Sequence, residues 1–297
     1  LVLLWPTYPG FVISLLLIIL GKYLFAPAMQ AYLGDRVPYQ RRGLVIAVSE
    51  IGWSGATLVG IPLAGLLIER QGWLAPFPLF IVLALALFVA LAWAVPRDRG
   101  DATAGHPLRG FRAVFTSSSA LAALGVTLCL SMANEFVNLV FGVWLEASFG
   151  LSIAALGAAT LVLGGAELLG EGLVGVLVDR LGKRRAVVGG LLLNCLAAFA
   201  LPALGVTQVG AFIGLFFFYL TFEFSFVSTI PMMTEVLPAA RATFLAFNIA
   251  SASVGRALAA LFAPFVFTAW GFGPSAWCAA ALNLLAWLAL RGVVLEE

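Results

Sequence analysis

Charge is what this chain has least of. Asp, Glu, Lys and Arg make up 10% of its 297 residues, against 63% hydrophobic ones. Soluble domains run near 25% charged, so a water-soluble globule is excluded, and a mean hydropathy of +1.09 agrees. Histidine occurs once, at His106. There is no clustered Asp/His set and no sizeable polar domain of the kind a membrane-embedded lipid or glycosyl transferase needs, so no enzyme activity is expected. A Gly-rich phosphate loop ending in Lys-Ser/Thr is also lacking, which disfavours nucleotide-driven pumping. Cys129, Cys195 and Cys278 all fall in apolar runs and read as small packing residues without disulfides. No metal or cofactor is expected. Strict apolar/polar alternation is missing, which argues against a transmembrane barrel. The net charge of +2 is scattered over short loops, with no footprint for nucleic acid. The chain opens on Leu1 without a basic leader; no signal peptide is expected, and the sequence reads as a piece of a longer protein.

What is present is apolar length. About 20 residues cross the hydrocarbon core as a helix, and nine runs qualify, at 11–33, 43–68, 73–95, 118–146, 153–178, 186–204, 209–236, 242–269 and 274–294. Alternate loops hold Arg36, Arg41, Arg42, Arg97, Arg99, Arg109, Arg112, Arg180, Lys183, Arg184, Arg185, Arg241 and Arg291, thirteen of the sixteen Lys and Arg; the opposite loops hold only Arg70. Positive-inside bias then places the first set and the C-terminus in the cytoplasm, with Leu1 outside. The Gly-containing loop 96–117 reads as a cytoplasmic linker, in which His106 is solvated. It separates residues 1–95 from 118–297.

An internal repeat orders these segments. Asp35-x-x-Pro38-x-x-Arg41 recurs 200 residues later as Glu235-x-x-Pro238-x-x-Arg241, at the same kind of cytoplasmic junction, and Gly55 and Gly255 keep the offset. A copy of 200 residues implies six helices in the second half and only three of six in the first.

Between two of the later helices the chain reads Gly175-x-x-x-Asp179-Arg180-x-Gly182-Lys183-Arg184-Arg185. This resembles the G-x-x-x-D-R-x-G-R-[RK] loop of the major facilitator superfamily, in its second-half position, with Lys183 where the family usually has Arg. The Asp35–Arg42 and Glu235–Arg241 junctions are similar to those after the family's helices four and ten. The resemblance implies an all-α integral membrane bundle of that type, with a partial N-terminal half (residues 1–95), a linker and a complete six-helix C-terminal half (118–297). Gly55–Gly65 matches the antiporters' helix-five signature at Pro62 and Gly65 and departs from it at Ile61 and Leu66.

Ionisable residues near mid-span carry the functional reading. Lys22, Glu135, Glu167, Glu223 and Arg256 lie close to the centres of their runs, where each costs about 2.5–3.5 kcal/mol against lipid. Lys22 is about 16 Å from either helix end, too far to snorkel easily. Such groups must face one another or a water-filled cavity. Glu167 and Glu171, one helical turn apart, share a face. Glu167 is either a proton carrier or a buried acid paired with Arg256. Glu135 lies between Asn134 and Asn138, a cluster suited to a polar substrate or to hydrogen bonding between helices. Glu223, among Phe222, Phe224 and Phe226, marks either a ligand face or lipid-facing aromatics. Lys22 and Arg256 read best as neutralising partners of the acids, and Glu50 as reaching cytoplasmic water. Gly175, Asp179, Arg180, Gly182, Lys183 and Arg184 read as a conformational latch, in which Asp179 caps a helix or pairs with a base. Together these give a secondary transporter of a small organic solute, working by alternating access on a proton or ion gradient and most consistent with efflux. Uptake of a sugar or organic anion, or a non-transporting sensor of the same fold, is the alternative. A monomer in the bacterial plasma (inner) membrane, with the lipid bilayer and a small-molecule substrate as partners, is expected.

Overall fold

Every regular element among the described residues is helical. The computed structural model describes residues 1–95, 107–151 and 153–295. The first part of the expected linker, with Arg97, Arg99 and His106, lies outside the described residues, as do the side chains of Ile61, Pro62 and Arg109. In chain order the helices are α1 (Tyr8–Arg36), α2 (Arg42–Gly55), α3 (Ile61–Gln71), α4 (Pro76–Ala94), α5 (Pro107–Thr116), α6 (Ser118–Asn138), α7 (Phe141–Phe149), α8 (Ile153–Leu181), α9 (Lys183–Leu204), α10 (Gln208–Met233), α11 (Arg241–Trp270) and α12 (Phe272–Leu290).

Nine stretches of the described residues are long and apolar enough to cross a bilayer. In lipid the backbone must satisfy its own hydrogen bonds, so each apolar run becomes a helix, and the chain is an integral membrane protein. Two spans hold breaks that hydropathy conceals. A π-helical turn at Ala56–Gly60 joins α2 to α3 within Tyr39–Gln71, and α6 ends at Asn138 before α7 resumes at Phe141 within Ser118–Phe149. Helix ends are fixed by polar chemistry: Ser117 and Thr207 accept the backbone N–H of Ala120 and Gly210 at the starts of α6 and α10. The second half of the expected linker is helical rather than loop. Phe111 and Phe115, one turn apart on α5, both set their rings edge-on to Phe247 of α11, with centroids 5.1 and 5.2 Å away.

Packing divides the chain into two compact units, Leu1–Ala26 with Gly55–His106, and Pro27–Ser54 with Pro107–Glu297. In the first, Phe11, Trp73, Phe77 and Phe80 form an edge-to-face series at 6.4, 6.2 and 6.3 Å. There α4 buries only Pro76, as suits a helix with hydrocarbon around it.

In the second unit α6 packs on α11 and α12, α9 on α10 and α12, and α8 on α10. One apolar core joins Val137, Trp144, Leu201, Leu215, Phe218 and Phe272, with the Trp144 and Phe272 rings stacked 3.7 Å apart. A second gathers Val126, Leu130, Leu191, Met232 and Phe244. A third sets Ile46 and Ala47 of α2 against Val174, Val178, Val227 and Ile230, which brings residues 27–54 into this unit. Between α9, α10 and α12 the core is polar: the fully buried Asn194 donates to Phe218 O at 2.8 Å and Thr221 Oγ1 at 3.0 Å, and Asn283 donates to Asn194 Oδ1 at 2.8 Å.

Candidate functional site

Three helices of the second unit, α2, α8 and α10, bring acids toward one another. Glu171 of α8 hydrogen-bonds Ser54 of α2 and has Glu50 of α2, Glu167 of α8 and Glu223 of α10 as electrostatic neighbours. Glu223 also faces the charge of Arg256 on α11. Glu171 is 1% exposed, and its Oε2 has no hydrogen-bond partner among the described residues. Glu50 is 8% exposed; packing of α2 on α8 removes it from the water it was expected to reach. A polar series leads away from this group. Tyr219 of α10, buried at 2% exposure, donates to Asn138 Oδ1 at 2.9 Å, and Asn138 donates to Glu135 Oε2 at 3.1 Å. Tyr219 also lies within electrostatic reach of both Glu167 and Glu135. Asn134 beside them is half-buried, with an Oδ1 that has no partner among the described residues.

Within the second unit, therefore, Glu135, Asn138, Glu167, Glu171, Glu223 and Arg256 are linked through Tyr219, Ser54 and Glu50. Among the described residues no ion pair joins Arg256 to Glu167. Phe222 and Phe224, flanking Glu223, are 8% exposed and pack inward. Lys22 belongs to the first unit, exposed on α1 with its Nζ 5.8 Å from the Tyr23 ring.

A second cluster surrounds the start of α2. Asp179, near the end of α8, accepts the backbone N–H of Gly43 at 3.1 Å and of Leu44 at 3.0 Å, one on each oxygen. It thus caps α2, where the helix dipole favours an anion, and its Oδ1 also takes Lys183 Nζ at 2.7 Å. A Cβ on Gly43 would stand 2.8 Å from Asp179 Oδ1, so the approach requires glycine there. Gly182 turns the chain from α8 to α9 at φ +85°, a backbone open mainly to glycine. Gly175 lies against Leu44 and Ala47 of α2. Lys183 Nζ sits 4.3 Å over the Tyr39 ring, which Arg42 also approaches. Arg180 is exposed, and Arg184 turns elsewhere, donating to Val293 O and Leu290 O at 2.8 and 3.1 Å across the C-terminal end of α12.

The two repeated junctions brace each other. Arg241 pairs with Asp35 and with Glu235, and Arg42 pairs with Glu235. Arg241 Nε further donates to Thr234 O at 2.7 Å, and Arg42 donates to Thr234 Oγ1 at 3.0 Å and Val37 O at 2.8 Å. Each acid of one copy thus meets a base of the other. The base in the first copy is Arg42, not Arg41, which is exposed. The 200-residue alignment singled out Arg41. The short helical turn Tyr39–Arg41 instead rotates the next residue toward Thr234.

Comparison with known proteins places this arrangement. The family model described as Major Facilitator Superfamily matches residues 1–126 and again 123–296. The chain is 26% identical over 232 residues to the uncharacterized MFS-type transporter YceJ of Bacillus subtilis (strain 168), covering 76% of this chain and 57% of that protein. To the MFS-type transporter YbcL of the same organism it is 21% identical over 264 residues, covering 86% of this chain and 66% of the relative. The chain therefore spans between about half and two thirds of these relatives' length. Among solved structures, the proton:xylose symporter XylE bound to 6-bromo-6-deoxy-D-glucose superposes with a TM-score of 0.69 at 18% identity, over 90% of this chain and 69% of that one. With nine apolar spans, the repeated junctions and the Asp179 loop on the same chain, these matches make it a member of the Major Facilitator Superfamily.

Proposed function

We propose that the protein is a secondary active transporter that moves a small organic solute by alternating access, driven by protons and in the direction of efflux. The observation that carries this reading is the gathering of Glu50, Glu167, Glu171 and Glu223 from three helices around the buried, half-bonded carboxylate of Glu171. Ionised groups this deep in hydrocarbon are tolerated where they border water or one another. A carboxyl that binds a proton in one conformation and releases it in another couples the gradient to the solute.

In this reading the ends of α1, α2, α8 and α10 form the latch. Asp179 on the start of α2 and the Asp35–Arg241 and Arg42–Glu235 braces hold the cytoplasmic ends together, and their release opens that side. The fold likeness to a proton:xylose symporter keeps sugar uptake as the second reading.

The test is transport by the full-length protein in sealed vesicles, with and without an imposed proton gradient of either sign. Gradient-dependent flux that Glu167→Gln and Glu171→Gln both reduce at least tenfold is expected. Flux that ignores the gradient, or is equal in both variants and the unaltered protein, removes proton coupling. Accumulation only with an inward gradient favours uptake.

A further inference from the structure

Helices α9 and α12 pack side by side in opposite directions, and between them they leave a groove of about 480 Å³ on the outside of the second unit. Leu192, Leu196 and Phe199 of α9 and Trp277, Ala281 and Leu284 of α12 line it, and all six are exposed. The Phe199 and Trp277 rings, with centroids 6.4 Å apart, mark one end. On each helix the lining residues recur at three- and four-residue spacing, which is one face. Continued toward the other end, both faces reach a base: Arg185 seven residues before Leu192, and Arg291 seven residues after Leu284. Seven residues are two turns, about 10 Å, so both bases stand at one height beyond the groove. Arg184 fixes that register by donating to Leu290 O and Val293 O.

These two bases differ from their neighbours. Lys183 is paired with Asp179 and Arg184 is engaged by carbonyls, whereas Arg185 and Arg291 are exposed and enter no ion pair among the described residues. Arg291 lies 4.1 Å over the Trp287 ring. Glu296 and Glu297, the acids nearest to Arg291 in sequence, lie outside the described residues. From the bases to the Phe199–Trp277 pair is fourteen residues on either helix, about 21 Å. That is close to one leaflet, half of a bilayer about 40–45 Å thick with its headgroups. Bases at the end that positive-inside bias assigns to the cytoplasm attract anionic headgroups. A zwitterionic lipid would add a cation beside them. A second copy related by a two-fold axis along the membrane normal would set the same bases against each other.

We propose that the groove between α9 and α12 binds an anionic phospholipid of the cytoplasmic leaflet, its phosphate between Arg185 and Arg291 and an acyl chain along Leu192, Leu196 and Leu284. The site uses none of the interior acids and stands whether or not those acids couple transport to protons.

The test is native mass spectrometry of the full-length protein with equal concentrations of dioleoylphosphatidylglycerol or dioleoylphosphatidylcholine, beside melting curves of each variant. At least fivefold more phosphatidylglycerol should stay bound. Arg185→Gln combined with Arg291→Gln should reduce it to the phosphatidylcholine level, and Ala281→Phe, which fills the groove and keeps both bases, should reduce it at least fivefold. Arg112→Gln, which removes an exposed base of α5, should change nothing. Equal retention of the two lipids, an equal loss in Arg112→Gln and the double variant, or displacement by glycerol phosphate alone overturns the proposal. A dimer mass that Ala281→Phe abolishes, with lipid retention unchanged, would give the groove to a second copy instead. The comparison of the two lipids needs no variant, so it decides even where a substitution unfolds the protein.

Discussion

Arg42 shows what single residues decide in this protein. Its side chain is 9% exposed and its guanidinium meets Glu235, Thr234 and a backbone carbonyl, whereas Arg41, next to it, is exposed. Hydrogen bonds to charged groups contribute about 1.5–3 kcal/mol. Arg42→Ala should therefore lower the melting temperature by several degrees, and Arg41→Ala should leave it unchanged; equal melting curves for the two would remove the brace. The sequence marked the right turn of chain but the wrong base, because a repeat offset aligns residues without reporting which way a short helical turn rotates them. Tyr219 shows a different limit. Nothing in an aromatic-rich run distinguishes the one hydroxyl that reaches Asn138 across two helices. Glu135 and Asn138, spaced three apart, were legible because one helix alone brings them together.

Helices meet closely here where side chains are absent or amidic. A Cβ at Gly255 would lie 2.4 Å from the Leu128 carbonyl oxygen, so α11 would have to retreat from α6. Gly255→Ala is expected to reduce folded yield and melting temperature more than Gly52→Ala, where no atom lies within 4 Å of the added methyl. Asn194 joins α9 to both α10 and α12. Interhelical hydrogen bonds in membranes average about 0.6 kcal/mol, yet Asn194→Ala also takes one of two acceptors from the buried Asn283 amide, leaving only Ala279 O. A loss of about 1–3 kcal/mol in chemical denaturation is expected, with Thr221→Val costing less. The nine spans could be read from hydropathy because lipid enforces helices on apolar runs. The breaks at Ala56–Gly60 and Asn138–Phe141 could not, since both sides of each break are equally apolar. The Gly and Asn contacts depend on which helix lies opposite, which no single segment records.

At the scale of the whole molecule, the account joins a closed cluster at the start of α2 to an acid-lined interior in the same unit. Asp179→Asn keeps its size but loses the ion pair to Lys183 and weakens the cap on α2. An anion at a helix start contributes about 0.3–1 kcal/mol, and up to about 2 when partly buried. The variant should therefore shift the opening equilibrium several-fold, read as faster labelling of a cysteine placed at Ser49; unchanged labelling would confine Asp179 to a structural cap. The family and the loop were legible from motif spacing, while the identity of the deepest acid was not: Glu167 and Glu171 look alike in sequence, and only packing on Ser54 separates them. The central claim is that these acids border one wet pathway. Single cysteines at Glu50, Glu167, Glu171 and Glu223, in a protein whose native cysteines are replaced by serine, should all react with a charged, membrane-impermeant thiol reagent. If they instead react only with a lipophilic reagent, the acids face hydrocarbon separately and the shared pathway does not exist.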